Sequence, residues 1–138
     1  EERFEKVLPT VTFVTILFFV LINVYSYLIA FYGNVIPVNF IYVLIGLLFV
    51  FLGNLLPKVP RNFFIGIRTP WTLTDEENWH KTHRLGAYLF VLGGLLMLVK
   101  AFVPYSAQKF HLLSMILTLV LFLYPLVHSF ILFKQKRA

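Results

Sequence analysis

Four long apolar runs limit the folds that this chain can adopt. They cover residues 9–32, 38–56, 85–103 and 110–133, and each is long enough to cross a bilayer core, which takes about 20 apolar residues in a helix. Only 13% of the 138 residues are charged, which is too little polar surface for a soluble domain of this size. The sequence therefore predicts an all-α integral membrane protein, a bundle of four transmembrane helices that forms a single domain over residues 1–138.

The first apolar run is interpreted as a membrane helix. It is too long for the core of a signal peptide and lacks a cleavage site of small residues. Because the first residue is Glu1 instead of methionine, the chain is expected to be a fragment or a processed product. It contains no cysteine, which excludes disulfides, thiolate metal sites and cysteine nucleophiles.

The basic residues divide unequally between the two ends of the predicted bundle. With four spans, both termini and the connection between the second and third spans share one side, which carries ten of the twelve lysine and arginine residues. Only Lys100 and Lys109 fall on the other side. The positive-inside rule then places both termini and the long connection in the cytoplasm. This bias accounts for the net charge of +6, and no nucleic-acid-binding module is recognised.

Glycines are spaced for close packing of the two central spans. Gly46 and Gly53 are seven residues apart in the second span, and Gly86 and Gly93 are seven apart in the third. Two helical turns return to nearly the same face, so the second and third helices are predicted to meet along these glycines.

Asn23 and His128 are two polar residues inside the spans that are candidates for more than packing. Asn23 is expected to form a hydrogen bond with a neighbouring helix, with a ligand contact as the alternative. His128 follows Pro125 near the end of the last span, and an ionisable residue at such a place is a candidate functional site. The preferred interpretation is an interfacial histidine that is hydrogen-bonded to the backbone.

The connection between the second and third spans cannot be a continuous helix, because three prolines lie between residues 56 and 71. Its apolar stretch, residues 63–67, is too short to span a membrane and is flanked by Arg61 and Arg68. A re-entrant or interfacial segment is therefore predicted, with its rings at the acyl chains and its guanidinium groups at the phosphates. Trp71 and Trp79 suit the same depth.

A helix is predicted to begin after this segment and to run from residue 75 to residue 103. Thr74 and Glu77 have the spacing of a capping box at its start. Glu76, His80 and His83 share one face of this helix and form a candidate metal site. A hydrated amphipathic face is the preferred interpretation, and no metal or other cofactor is predicted.

The motif over residues 53–84 resembles that of the SdpI family of bacterial membrane immunity proteins. The matching residues are Gly53-Asn54, Pro57, Asn62, the run Ile65-Gly66-Ile67-Arg68-Thr69-Pro70-Trp71-Thr72-Leu73, and Trp79 to Arg84. The resemblance implies a bacterial plasma-membrane protein that protects a cell against its own secreted peptide toxin. It also implies a signalling role in which a transcriptional repressor is held at the membrane.

On this hypothesis the chain is not an enzyme, and the motif forms a platform on the cytoplasmic side for a toxin or another partner. The platform residues are Asn54, Asn62, Gly66, Arg68, Thr69, Pro70, Trp71, Trp79, His83 and Arg84. The expected partners are a peptide toxin, a transcriptional repressor and membrane lipids.

Three alternatives to this hypothesis stay open. The platform residues can instead serve only to fold the connection. A small transporter or lipid-binding module is a second possibility, although no span holds an acidic residue for a proton relay. An enzyme is a third, for which only Glu76, His80 and His83, with their neighbours Asp75 and Thr82, offer catalytic groups.

Overall fold

The computed structural model describes residues 2–33, 37, 39–104 and 106–137, with side chains from residue 5 to residue 136 of these ranges. Within them it contains five α-helices and one 3₁₀ turn. In chain order these are α1 (Glu2–Tyr32), α2 (Phe40–Leu55), the 3₁₀ turn (Leu56–Lys58), α3 (Pro70–Thr74), α4 (Glu76–Ala101) and α5 (Gln108–Arg137). The helices α1, α2, α4 and α5 are long and apolar enough to cross a membrane, which confirms the predicted fold class.

The helices extend beyond the apolar runs at the ends that carry charge. The run beginning at residue 9 continues toward the amino terminus as far as Glu2, and α5 continues past residue 133 to Arg137. Charged residues can complete a helical turn outside the apolar run, which hydropathy does not register. Val38, where the second helix was expected to begin, lies outside the described residues, and α2 begins at Phe40.

The predicted capping box at the start of α4 is wrong. Thr74 is the last residue of α3, and its hydroxyl donates to the carbonyl of Pro70 at 2.9 Å. The cap is Asp75, whose carboxylate accepts from the backbone N–H of Glu77 at 3.0 Å. Asp75 has an extended backbone, which turns its side chain onto the first turn of the helix that follows.

The helices α2 and α4 pack through Gly46 and Gly53, as predicted, but Gly86 faces Ile67 of the connection and Gly94 takes the place expected for Gly93. A Cβ atom on Gly46 would lie 2.7 Å from the carbonyl oxygen of Gly94, and one on Gly53 would lie 2.9 Å from that of Ala87. Gly93 instead faces the ring of Phe122 in α5. One residue is about 100° of rotation around a helix, so Gly93 and its neighbour Gly94 serve two different interfaces.

Both ends of the chain lie at the same end of the bundle as the connection between α2 and α4. Near the amino terminus, Val7 packs in a buried cluster with Val59 and Trp79. Near the carboxy terminus, Lys136 forms an ion pair with Asp75 at 2.7 Å. These contacts give the arrangement expected of four membrane spans, with the short connections at the opposite end.

Among the described residues, Asn23 does not bond to a neighbouring helix, and the expected backbone bond is not formed at Nδ1 of His128. The amide of Asn23 donates to the carbonyl of Phe19 in its own helix at 2.8 Å, and the side chain is exposed. The predicted bond from Asn23 to a neighbouring helix is therefore not formed within the described part of the chain. The Nδ1 atom of His128 is buried and has no hydrogen-bond partner there.

Candidate functional site

Trp79 and His83 form the centre of the connection between α2 and α4. The Trp79 side chain is fully buried, its indole N–H donates to the carbonyl of Val59 at 3.0 Å, and its ring stacks on the His83 imidazole at 4.0 Å. His83 is 1% exposed and uses both ring nitrogens. Its Nδ1–H donates to the Trp79 carbonyl at 2.9 Å, and its Nε2 accepts from the Ile67 N–H at 3.0 Å. Trp79 is therefore a core residue of this connection.

Gly66 fits against His83 because it has no side chain. Its φ angle is +114°, in the region that residues with a Cβ rarely adopt. A Cβ atom there would collide with Nε2 of His83. The glycine thus allows the backbone to approach the imidazole closely enough for the bond from Ile67.

Hydroxyl and amide groups join this connection to α5. Thr69 and Thr72 form a reciprocal capping box at the start of α3, and the Thr69 hydroxyl lies 3.1 Å from that of Ser129 in α5. In the first turn of α4, the Asn78 amide donates to the Ser129 carbonyl at 2.9 Å and accepts from the Thr82 hydroxyl at 3.0 Å. All five side chains are buried, so the network is satisfied internally and offers nothing to a ligand.

The motif residues preceding α3 also serve the fold. Asn62 forms a tight turn, because its side-chain oxygen accepts from the N–H of Phe64 at 2.7 Å and its amide donates to the Pro60 carbonyl at the same distance. The exposed Arg68 donates to the Phe63 carbonyl within this turn. The structure thus assigns these predicted platform residues a local structural role.

The motif residues at the start of α3 also have a structural role. Pro70 occupies the first position of α3, where its missing N–H costs nothing. Trp71 packs against Phe130 and Phe133 of α5, with ring centres 4.9 and 6.0 Å away.

The candidate metal residues do not converge. Glu76 and His80 are exposed and 3.8 Å apart, whereas His83 lies in the core with both nitrogens engaged. In the described part of the chain, no three histidine, aspartate or glutamate side chains are placed to share a metal ion. The three residues have the spacing of one helix face, but that face crosses the boundary of the core. His83 therefore lies inside the protein, whereas His80 is exposed at its surface.

A groove of about 640 Å³ between α2 and α4 brings together Asn54 and Arg84, two motif residues with exposed side chains. Its lining residues are Gly53, Asn54, Pro57, His80, Arg84, Ala87, Tyr88, Val91 and Leu92. The Arg84 side chain is exposed, and it makes no hydrogen bond or ion pair within the described residues. The amide N–H₂ of Asn54 donates to the Val50 carbonyl at 2.8 Å, which leaves its side-chain oxygen available.

The groove has a polar end and an apolar end. Asn54, His80 and Arg84 lie near the connection, whereas Val91 and Leu92 lie further along the span. Such a site can hold an amphipathic molecule by an oxyanion or hydrogen-bond acceptor at Arg84 and by apolar contacts beyond it. His80 and Tyr88 were not included in the predicted platform, although His80, Arg84 and Tyr88 recur every four residues, which is the spacing of one helix face.

The sequence matches the family that its motif resembles. The model of the SdpI/YfhL protein family matches residues 58–129. The chain is also similar to a protein of Bacillus subtilis (strain 168) named Immunity protein SdpI, with 28% identity over 91 residues that cover 66% of this chain and 43% of that protein. It thus spans less than half the length of this curated relative. No solved structure matches the chain.

Proposed function

The chain belongs to the SdpI/YfhL protein family, and from this premise we propose that it is a non-enzymatic immunity protein of a bacterial plasma membrane. It protects the cell against a secreted peptide toxin by binding the toxin at the groove between α2 and α4. The similarity to a protein named as an immunity protein supports the class of function. The proposal for the site rests on the structure of the groove.

One observation supports this site above the rest of the motif. Arg84 is a motif residue with an exposed guanidinium group that pairs with no other described residue. Trp79 and His83, in contrast, are buried in the core with their ring nitrogens hydrogen-bonded. An arginine whose guanidinium group makes no hydrogen bond or ion pair with the described residues is available for a partner, and its planar fork suits a carboxylate or another acceptor. The apolar wall formed by Val91 and Leu92 suits the hydrophobic side chains of a membrane-active peptide.

The proposal predicts different effects for substitutions of buried motif residues and of motif residues that line the groove. Replacing Trp79 or His83 is expected to reduce protection by unfolding the connection. Replacing Arg84 is expected to reduce protection while the protein keeps its fold and abundance. Since a surface change away from structural features usually alters stability by no more than about 0.5 kcal/mol, the two effects are distinguishable by thermal unfolding.

The test uses the source bacterium with its gene deleted. Cells are challenged with dilutions of spent medium from the undeleted strain, and survival is measured after complementation with wild type, Arg84→Gln or Arg61→Gln. Arg61 is the control, because it is also exposed but lies outside the groove, and its one hydrogen bond is a long one, from Nη1 to the Leu73 carbonyl at 3.4 Å. We expect Arg84→Gln to lower the tolerated dose by about tenfold or more, as the loss of one charged hydrogen bond implies, and Arg61→Gln to protect like wild type.

Two results would contradict the proposal at different levels. If the deletion strain tolerates the medium as well as the parent does, the chain is not the immunity protein for a toxin of that strain. If the deletion strain is sensitive and Arg84→Gln restores full protection, immunity stands and the groove is not the binding site.

A further inference from the structure

Lys100 is a buried charge at the end of the bundle opposite the groove. It lies in the last turn of α4 and is only 4% exposed. Its ammonium group donates to the carbonyl of His111 at 3.3 Å and lies 4.5 Å from the centre of the Tyr42 ring. A lysine at the end of a membrane helix usually extends its ammonium group into water, so this inward position requires a reason.

The chain supplies no acidic partner for this ammonium group. All six acidic residues are at positions 1, 2, 5, 75, 76 and 77, and the five of them that the structure describes belong to the other end of the bundle. The connections 33–39 and 102–107 contain neither aspartate nor glutamate. A carbonyl and an aromatic ring attract a cation, but neither neutralises it, and a buried charge without a counter-charge is costly.

A cavity beside Lys100 has room for an external counter-charge. It has a volume of about 320 Å³ and is lined by Tyr42, Lys100, Gln108, His111, Leu112 and Met115. The start of α5 at Gln108 adds the partial positive charge of a helix amino terminus. Leu112 and Met115 are 54% and 53% exposed, so an apolar wall toward the lipid adjoins the polar floor.

We propose that this cavity binds the phosphate of an anionic phospholipid from the leaflet at this end of the bundle, with Lys100 as its counter-ion. The other arrangement that supplies the same chemistry is a free phosphate ion. The phospholipid is favoured because the cavity continues from a cationic floor to side chains that face the acyl region. This inference does not depend on the immunity function.

The experiment measures thermal unfolding of the purified full chain in a neutral detergent. Phosphatidylglycerol, phosphatidylcholine and inorganic phosphate are titrated separately, and lipid retained on the protein is counted by native mass spectrometry. We expect phosphatidylglycerol to raise the unfolding temperature by about 4 °C, corresponding to roughly 1 kcal/mol of preferential binding, with smaller effects of the other two. Lys100→Met is expected to weaken the binding of phosphatidylglycerol about tenfold or more.

Lys109→Met is the matched control, because it removes an exposed lysine from the same end of the bundle and is expected to keep the response. Lys100→Arg keeps the charge and is expected to keep a preference for phosphatidylglycerol. The proposal is overturned if phosphatidylcholine or inorganic phosphate stabilises the wild-type protein as much as phosphatidylglycerol does. That comparison needs no variant, so a poorly folded Lys100→Met cannot obscure it. Equal losses in Lys100→Met and Lys109→Met would overturn it as well.

Discussion

Gly66 occupies a place where both the backbone conformation and the neighbouring imidazole exclude a side chain. For Gly66→Ala we expect a loss of roughly 1–3 kcal/mol from the strained φ angle alone. The methyl group would also displace His83 and break its hydrogen bond with Ile67, which adds roughly 1–3 kcal/mol for the unpaired buried N–H. Thermal unfolding in detergent measures the change, and Trp79, which stacks on His83, reports it by fluorescence.

Gly33 provides the control for this prediction. It also has a positive φ angle, +66°, but no described atom would lie within 4 Å of an added Cβ. Gly33→Ala therefore bears only the conformational cost, about 1–2 kcal/mol, without the collision. Equal destabilisation of the two variants would show that the contact between residue 66 and His83 contributes nothing of its own.

At the scale of helices, the cost of replacing a glycine at a helix interface depends on which atoms the added methyl group would meet. In Gly46→Ala the Cβ would lie 2.7 Å from the backbone oxygen of Gly94, and a backbone cannot rotate away. In Gly93→Ala the Cβ would meet the edge of the Phe122 ring, which is a movable side chain. We expect Gly46→Ala to destabilise the protein by about 1–3 kcal/mol and Gly93→Ala by less. A larger loss for Gly93→Ala in thermal unfolding would contradict this order.

The start of α4 and the end of α5 are joined by charge. Lys136 contacts both Asp75 and Glu77 at 2.7 Å. Its hydrogen bond to Asp75 is the main reason that the pKa of that carboxyl is held below its usual range. A lowered carboxyl pKa means that the ionised form favours the folded state. The resulting stabilisation is present above about pH 4, the ordinary aspartate pKa, and is lost as the pH falls through the pKa of the folded state.

Asp75→Asn tests this linkage because asparagine is also a good helix cap but cannot be an ion-pair partner. We expect its unfolding temperature to lie below that of the wild type at pH 7, and to converge with it as the pH falls through the lowered pKa of Asp75 in the folded state. Asp75→Ala, which loses the cap as well, is expected to remain less stable than the wild type by about 1 kcal/mol even after that convergence. If the gap between wild type and Asp75→Asn does not shrink as the pH is lowered from 7, the ion pair does not stabilise the fold.

For the whole molecule, the sequence predicts what depends on neighbours along the chain. The four apolar runs predict four helices, and the seven-residue spacing of Gly46 and Gly53 predicts the close packing of α2 on α4. The bond from Ile67 to His83 joins residues 16 apart, and the bond from Asn78 to Ser129 joins residues 51 apart. No local pattern encodes such pairs.

For the same reason the sequence did not distinguish the motif residues that line the groove from those that hold the fold together. The motif identifies the important stretch, but only the folded chain divides it into buried residues and those that line the groove. Asn54 and Arg84 come from different helices, and they adjoin one groove only because α2 and α4 meet along glycine.

The distribution of charge over this fold predicts the orientation of the whole bundle in the membrane. Both chain ends and the connection between α2 and α4 share one end of the bundle, and that end carries ten of the twelve basic residues. We therefore expect it to be cytoplasmic. A green fluorescent protein fused to the carboxy terminus should fluoresce, and alkaline phosphatase at the same position should be inactive. Alkaline phosphatase inserted after Ser106, in the connection between α4 and α5, should be active.

The opposite pattern of activity would place the Arg84 groove outside the cell and the Lys100 cavity inside it. In that case Arg84 would meet a secreted peptide directly from the medium, and Lys100 would bind lipid of the inner leaflet. In the expected orientation, a toxin must enter the bilayer to reach the groove, which favours a hydrophobic peptide that contacts Val91 and Leu92 from the lipid side. The orientation therefore decides by which route a toxin approaches, whereas the chemistry of the two sites is the same in either case.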